Sequence, residues 1–149
     1  MDAEHETVVR VTADAPWLPP GGRAEVVRRD SPPRPMSMVR LLLRRGDEVY
    51  CVPRSETGKL DLPTRSTDGD DLDGSVTIRA LAAEVVGAPT ETRFLGAVRN
   101  VVERPGSDYP WPTPLAHFGV WASPDAPIID GTWADLSTLT ERHWHPLVV

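Results

Sequence analysis

Four carboxylates fall within six residues, Asp68, Asp70, Asp71 and Asp73, and Glu84 follows eleven positions later. Hard divalent cations take carboxylate oxygens, and arginine forks take phosphate oxygens. Arg65 stands before this acidic run and Arg79 after it. A basic segment beside an acidic one suits a phosphate held by arginines and a divalent cation held by carboxylates, and it equally suits solvated surface in an Arg-rich protein. Asp73 has a second use, because an acid ahead of a helix accepts from its free amides and suits its dipole. A calcium-binding EF-hand loop is excluded. Its twelfth position, counted from Asp68, is Arg79, where a bidentate glutamate is required.

Other candidates lie outside this run. Tyr109 and Trp111 sit in the Pro-rich stretch Glu103–Pro114, where they suit stacking on a nucleobase, a contact worth about 1–3 kcal/mol. Proline-flanked aromatics also pin such a loop to the body. His143-Trp144-His145 would put two histidines on one face of a strand, yet two ligands alone do not make a metal site. His117, beside Phe118 in an apolar run, reads as a packed core residue. Cys51 is the sole cysteine, which excludes an intramolecular disulfide and a cysteine-built zinc site, and it reads as a small buried hydrophobe.

The elements that must position these residues follow from periodicity. Ser75–Val86 is the best helix, since Ile78, Leu81, Ala82 and Val85 recur at i, i+3, i+4 and i+7. Asp73 or Ser75 suits its start, and Gly87 with Pro89 its end. Glu6–Val11 is a β-prone edge strand. Met38–Leu43 and Val49–Val52 read as a hairpin around Arg45-Gly46-Asp47-Glu48, and Phe94–Val102 and Leu115–Ala122 as strands. Thr132–Arg142 reads as a short C-terminal helix capped by Asp135. Ala15–Pro35, dense in Pro, Gly and Arg, reads as an irregular extension. The organisation expected is an extension over residues 1–35 packing on a domain over 36–149. The fold class expected is α+β or α/β, with the longer helix packed on a sheet.

Residues 62–87 run Leu-Pro-Thr-Arg-Ser-Thr-Asp-Gly-Asp-Asp-Leu-Asp-Gly-Ser-Val-Thr-Ile-Arg-Ala-Leu-Ala-Ala-Glu-Val-Val-Gly. This resembles the box of the Nudix hydrolases, G-x5-E-x7-R-E-U-x-E-E-x-G-U with U aliphatic. Setting Arg79 on the box arginine puts Asp71 on the first glutamate, Leu81 on the aliphatic position and Glu84 on the last glutamate. Arg65 then stands on the opening glycine, Ala80 and Ala83 on the other two glutamates, and Gly87 one place late. Phe94-Leu95-Gly96 resembles the strand that follows the box, and Trp133-Ala134-Asp135-Leu136 a tryptophan-led segment near the family's C-terminus. The resemblance spans roughly residues 36–146. It implies a mixed β-sheet sandwiched between the box helix, about 75–86, and a C-terminal helix. It also implies cleavage of a nucleoside-diphosphate linkage by water, with Mg²⁺ or Mn²⁺ neutralising the phosphates. Residues 80, 83 and 84 share one helix face, and with two alanines there only Glu84 offers a carboxylate. Thr64 and Arg65 replace glycines that let the family's loop approach the phosphate. The catalytic positions implied are Glu84 and Asp71, and the metal positions Glu84, Asp68 and Asp71; the candidate ligand positions are Arg65 and Arg79, together with Tyr109 and Trp111 from the Pro-rich loop. Two readings follow: a divergent pyrophosphohydrolase with weak or no turnover, or a non-catalytic module binding a nucleotide-like ligand or a protein, with a homodimer in keeping with the family.

Composition bounds these readings. The 149 residues suffice for one domain with a real core, and 40% apolar with 26% charged residues is globular. The net charge of −6 argues against a nucleic-acid polymer as partner. Fifteen of the sixteen basic residues are Arg, so an arginine alone says little. No apolar run approaches the ~20 residues that span a bilayer. The acidic start Met1–Glu6 is unlike a signal peptide, so a cytoplasmic protein without membrane partners is expected. Charge is segregated along the chain: residues 23–54 hold eight Arg against four acids, and residues 61–84 six acids against two Arg.

Overall fold

The computed structural model describes residues 5–148; the acidic start at Met1–Glu4 lies outside the described residues. In chain order the elements are β1 (Glu6–Thr12), β2 (Arg23–Arg29), β3 (Met36–Leu42), β4 (Arg44–Arg45), β5 (Glu48–Pro53), β6 (Leu60–Asp61) and β7 (Thr64–Ser66). Then come α1 (Ser75–Val86), β8 (Arg93–Val101), β9 (Leu115–Ala122) and β10 (Thr132–Asp135), with 3-10 turns at Leu136–Thr138 and His145–Leu147. Six strands form one mixed sheet in the order β1-β2-β8-β9-β3-β7, parallel only between β3 and β9. A second sheet runs β10-β5-β4, with β6 paired to β5. No helix among the described residues is long and apolar enough to cross a membrane.

Alternation along β3 divides the core between the two faces of the large sheet, as period-two geometry requires. Val39 and Leu41 face α1 and pack with Ile78, Leu81, Ala82, Val85 and Trp121. On the opposite face Leu42, Val98, Phe118 and Val120 pack with Val49 and Cys51 of the small sheet and with Leu136, Trp144 and Leu147 near the C-terminus. Cys51 is fully buried, and burial pushes its thiol up to about 11, with nearby Asp61 adding to the rise. His117 is buried too, its Nδ1 2.9 Å from the Pro35 carbonyl.

The α+β or α/β sandwich with two helices is overturned. Among the described residues the fold is sheet-rich with a single α-helix, and the face expected to carry the C-terminal helix is covered by the small sheet and 3-10 turns. Within the segment expected to be that helix, Thr132–Asp135 pairs with β5 instead, Trp133 opposite Tyr50. Asp135 does cap, its Oδ1 accepting from Ser137 N at 3.0 Å, but only a 3-10 turn follows. Helix nucleation is costly, and the run Leu-Ser-Thr-Leu-Thr is short and partly β-branched, so one turn is all it sustains. The residues expected as an irregular extension hold β2, which pairs with β8 inside the large sheet. The expected hairpin over residues 38–52 is also redrawn. β3 stays in the large sheet and the hairpin forms between β4 and β5.

α1 keeps the boundaries that its periodicity predicts. Gly74 stands at its N-cap with φ 79°, and a Cβ there would lie 2.8 Å from Met36 Cγ and 2.9 Å from Val39 Cγ1. Only glycine meets both demands. Gly74→Ala should therefore cost about 2–4 kcal/mol, combining a left-handed conformation with an overpacked core. Gly69→Ala, with nothing within 4 Å of the added carbon, should stay within about 1 kcal/mol of the parent. Chemical denaturation of the two variants checks this.

Candidate functional site

The acidic loop between β7 and α1 is held by its own carboxylates. Asp71 is buried, and its Oδ2 accepts from Thr77 N at 2.7 Å and from the Thr77 hydroxyl at 2.5 Å. Its Oδ1 takes Val76 N at 3.3 Å, and Asp73 Oδ1 takes Ser75 N at 3.0 Å. The donors that a helix start leaves free are thus taken by two aspartates upstream of the glycine cap. Burial pushes the Asp71 carboxyl up, but the Thr77 hydroxyl and the Thr77 and Val76 amides outweigh it and hold it below the usual carboxylate range. Asp68 is exposed and closes its own turn, Oδ1 accepting from Asp70 N at 3.1 Å.

Glu84 stands on the outer face of α1, where Arg65 of β7 donates to it at 2.7 Å. Both groups are more than a third exposed, so the pair contributes at most about 1 kcal/mol. Ala80 is exposed and Ala83 partly so on the same side, and Arg79 donates to the Ser75 carbonyl of its own helix at 3.4 Å. Among the described residues no three His, Cys, Asp or Glu side chains come together in a metal-holding arrangement. The donor set therefore does not fit a hard dication, which requires several converging oxygens.

Asp68 and Asp71 do meet Trp111, around a cavity of about 300 Å³ that Met36 and Ser37 also line. Trp111 packs edge-on against Phe118, with ring centroids 5.1 Å apart. On its other side, Trp111 and Tyr109 join Trp17 and Asn100 around a more apolar groove of about 410 Å³. The Asn100 amide donates to the Tyr109 hydroxyl at 3.3 Å. The loop aromatics thus both brace the loop and wall a groove.

A polar cluster that sequence reasoning missed lies on the sheet face opposite α1. Asp61 of β6 is buried; its Oδ1 accepts from Trp144 Nε1 at 2.7 Å and Leu62 N at 2.8 Å, and its Oδ2 from Arg54 Nε at 2.8 Å. Arg40 of β3 adds a second positive charge to the same carboxylate. His143 stacks on Trp17, centroids 4.4 Å apart, and burial with the charges of Arg40 and Arg54 lowers its basicity. The histidines flanking Trp144 do not converge, since His145 Nε2 lies 3.2 Å from the Leu136 carbonyl. The available signal was a lone acid between leucines, Leu60-Asp61-Leu62, and a lone arginine inside the apolar run Met38–Leu43.

No family model matches the chain, and no curated protein matches it.

Asp71→Ala should cost about 1–2 kcal/mol, the range for losing a helix N-terminal acceptor. Because the folded carboxyl is held below its unfolded value of about 3.9, this stability is present at neutral pH. It is lost as the pH falls from that value through the folded one. Urea denaturation at pH 7 and near pH 3 should show parent and variant converging at the lower pH.

Proposed function

We propose that this chain is a non-hydrolytic binding domain for a nucleotide-like ligand, a planar ring carrying an anionic group. The observation that carries the reading is the use made of the acidic residues. Asp71 is taken up by the start of α1, Asp68 by its own turn and Glu84 by Arg65. Water attack on a phosphoric anhydride needs a cation to neutralise the phosphates and ionise the water, and single, dispersed carboxylates are poor at holding one. Ala80 and Ala83, at positions where the Nudix box has glutamates, support loss of turnover in a divergent relative of those hydrolases. The groove walled by Trp17, Tyr109 and Trp111 supports retained recognition of a flat ring.

Two measurements test this. Phosphate release from ADP and other nucleotides in the presence of Mg²⁺ or Mn²⁺ should stay at the blank, while ADP raises the melting temperature of the protein. Release that disappears in Glu84→Gln would overturn the reading in favour of an active hydrolase. Trp111→Ala should weaken ADP binding by about 1–3 kcal/mol, the worth of one ring stack. An unchanged affinity would remove the groove from the account.

A further inference from the structure

Arg40 sits mid-strand in β3, on the face that carries Met38 and Leu42, opposite Thr64 on one side and Val120 on the other. Its Nε is buried and has no hydrogen-bond partner among the described residues. Buried arginines ordinarily satisfy their donors, because five N–H groups and a charge are costly to leave unmatched. The carboxylate within its field, Asp61, is already occupied by Arg54, Trp144 and Leu62. Two guanidiniums therefore face one carboxylate whose lone pairs are spoken for. Arg40 thus shares this one counter-ion with Arg54, so positive charge is in excess here and suits an anion from outside. The Trp17–His143 stack, with an interplanar angle of 25°, lies beside this cluster, and Trp17 also walls the aromatic groove. Trp17 is 47% exposed despite its size.

We infer that Arg40 and Arg54 form an oxyanion site that holds a phosphoryl group, with the ring to which it is attached lying in the groove beside Trp17. The inference rests on the binding reading above and adds to it the groups that take the ligand's charge. A guanidinium fork matches phosphate oxygens in two parallel hydrogen bonds, and the Nε of Arg40 is one donor left unpartnered among the described residues. The site needs no metal, since the arginines supply the positive charge.

The test compares the full chain with Arg40→Met and Arg40→Lys by titration calorimetry, using inorganic pyrophosphate, ADP and adenosine as probes. Pyrophosphate and ADP should bind the parent and lose at least about tenfold in affinity in Arg40→Met, as expected when one partner of a buried charge pair is truncated. Adenosine should bind both proteins alike. Arg40→Lys should fall between them, because an ammonium keeps the charge and loses the fork. The apo form of Arg40→Met should melt no lower than the parent. Pyrophosphate that fails to bind the parent, or binds Arg40→Met equally well, overturns the anion site. So does an Arg40→Met protein that melts well below the parent, for Arg40 would then be structural. If Arg40→Met does not fold, unchanged pyrophosphate affinity in Arg40→Lys overturns the site instead. ADP binding that survives Arg40→Met sinks this inference and leaves the binding reading standing. Pyrophosphate binding lost in Arg40→Met, with no binding of ADP to the parent, supports the anion site and sinks the nucleotide-like reading.

Discussion

One buried carboxylate organises the sheet face opposite the helix. Asp61 accepts from the Trp144 indole, the Leu62 amide and the Arg54 guanidinium, so it joins β6, the end of β5 and the C-terminal segment at a single point. Burial alone would push this carboxyl up. The charge of Arg40, the Trp144 indole and Arg54 outweigh burial and hold it below the usual range, so it remains ionised. Trp144, 1% exposed, is the largest fully buried side chain, and its indole proton finds its acceptor here. The cover that the small sheet and C-terminal turns give to this face is thus tied down by one charged acceptor. Removing Arg54 or the Trp144 indole would leave an oxygen of this buried carboxylate short of its donor.

The same economy of acids explains the division of the molecule. Residues 61–84 carry six acids against two arginines. Those described above serve as acceptors for backbone, hydroxyl, indole or guanidinium donors, which is what a loop and helix start need to hold their shape. Across the sheet the balance reverses, and Arg40 and Arg54 share Asp61. Trp111, which packs on Phe118 of β9, lines both the cavity at the acidic loop and the aromatic groove. A protein built this way is better suited to receive an anion than to gather a cation.

How much of this was legible depended on the range of the interaction. α1 was readable because the recurrence of Ile78, Leu81 and Val85 and the stop at Gly87 are local facts. β8 and β9 were readable as apolar runs bounded by turn residues. β2 was not, since its arginines and the prolines around it disguise a strand that β8 recruits from some seventy residues away. The run from Met38 to Val52 concealed a change of sheet at Leu43, and sheet membership is a tertiary property. Leu136 and Leu139 have helical spacing, but one 3-10 turn buries both. The acidic loop was found from its composition, whereas its use in capping was legible only for Asp73. Arg40 and Asp61 escaped notice because a single charge within an apolar run carries no periodic signal. Their meaning lies in a pairing across strands.

On the reading proposed above, this chain recognises an anion with arginines and without a metal. Titration calorimetry of ADP into the protein in the presence of EDTA addresses it directly. Saturable binding is expected under chelation, weakened by added salt because the contact is between charges. Binding that is absent in EDTA and appears only when Mg²⁺ or Mn²⁺ is supplied would contradict it.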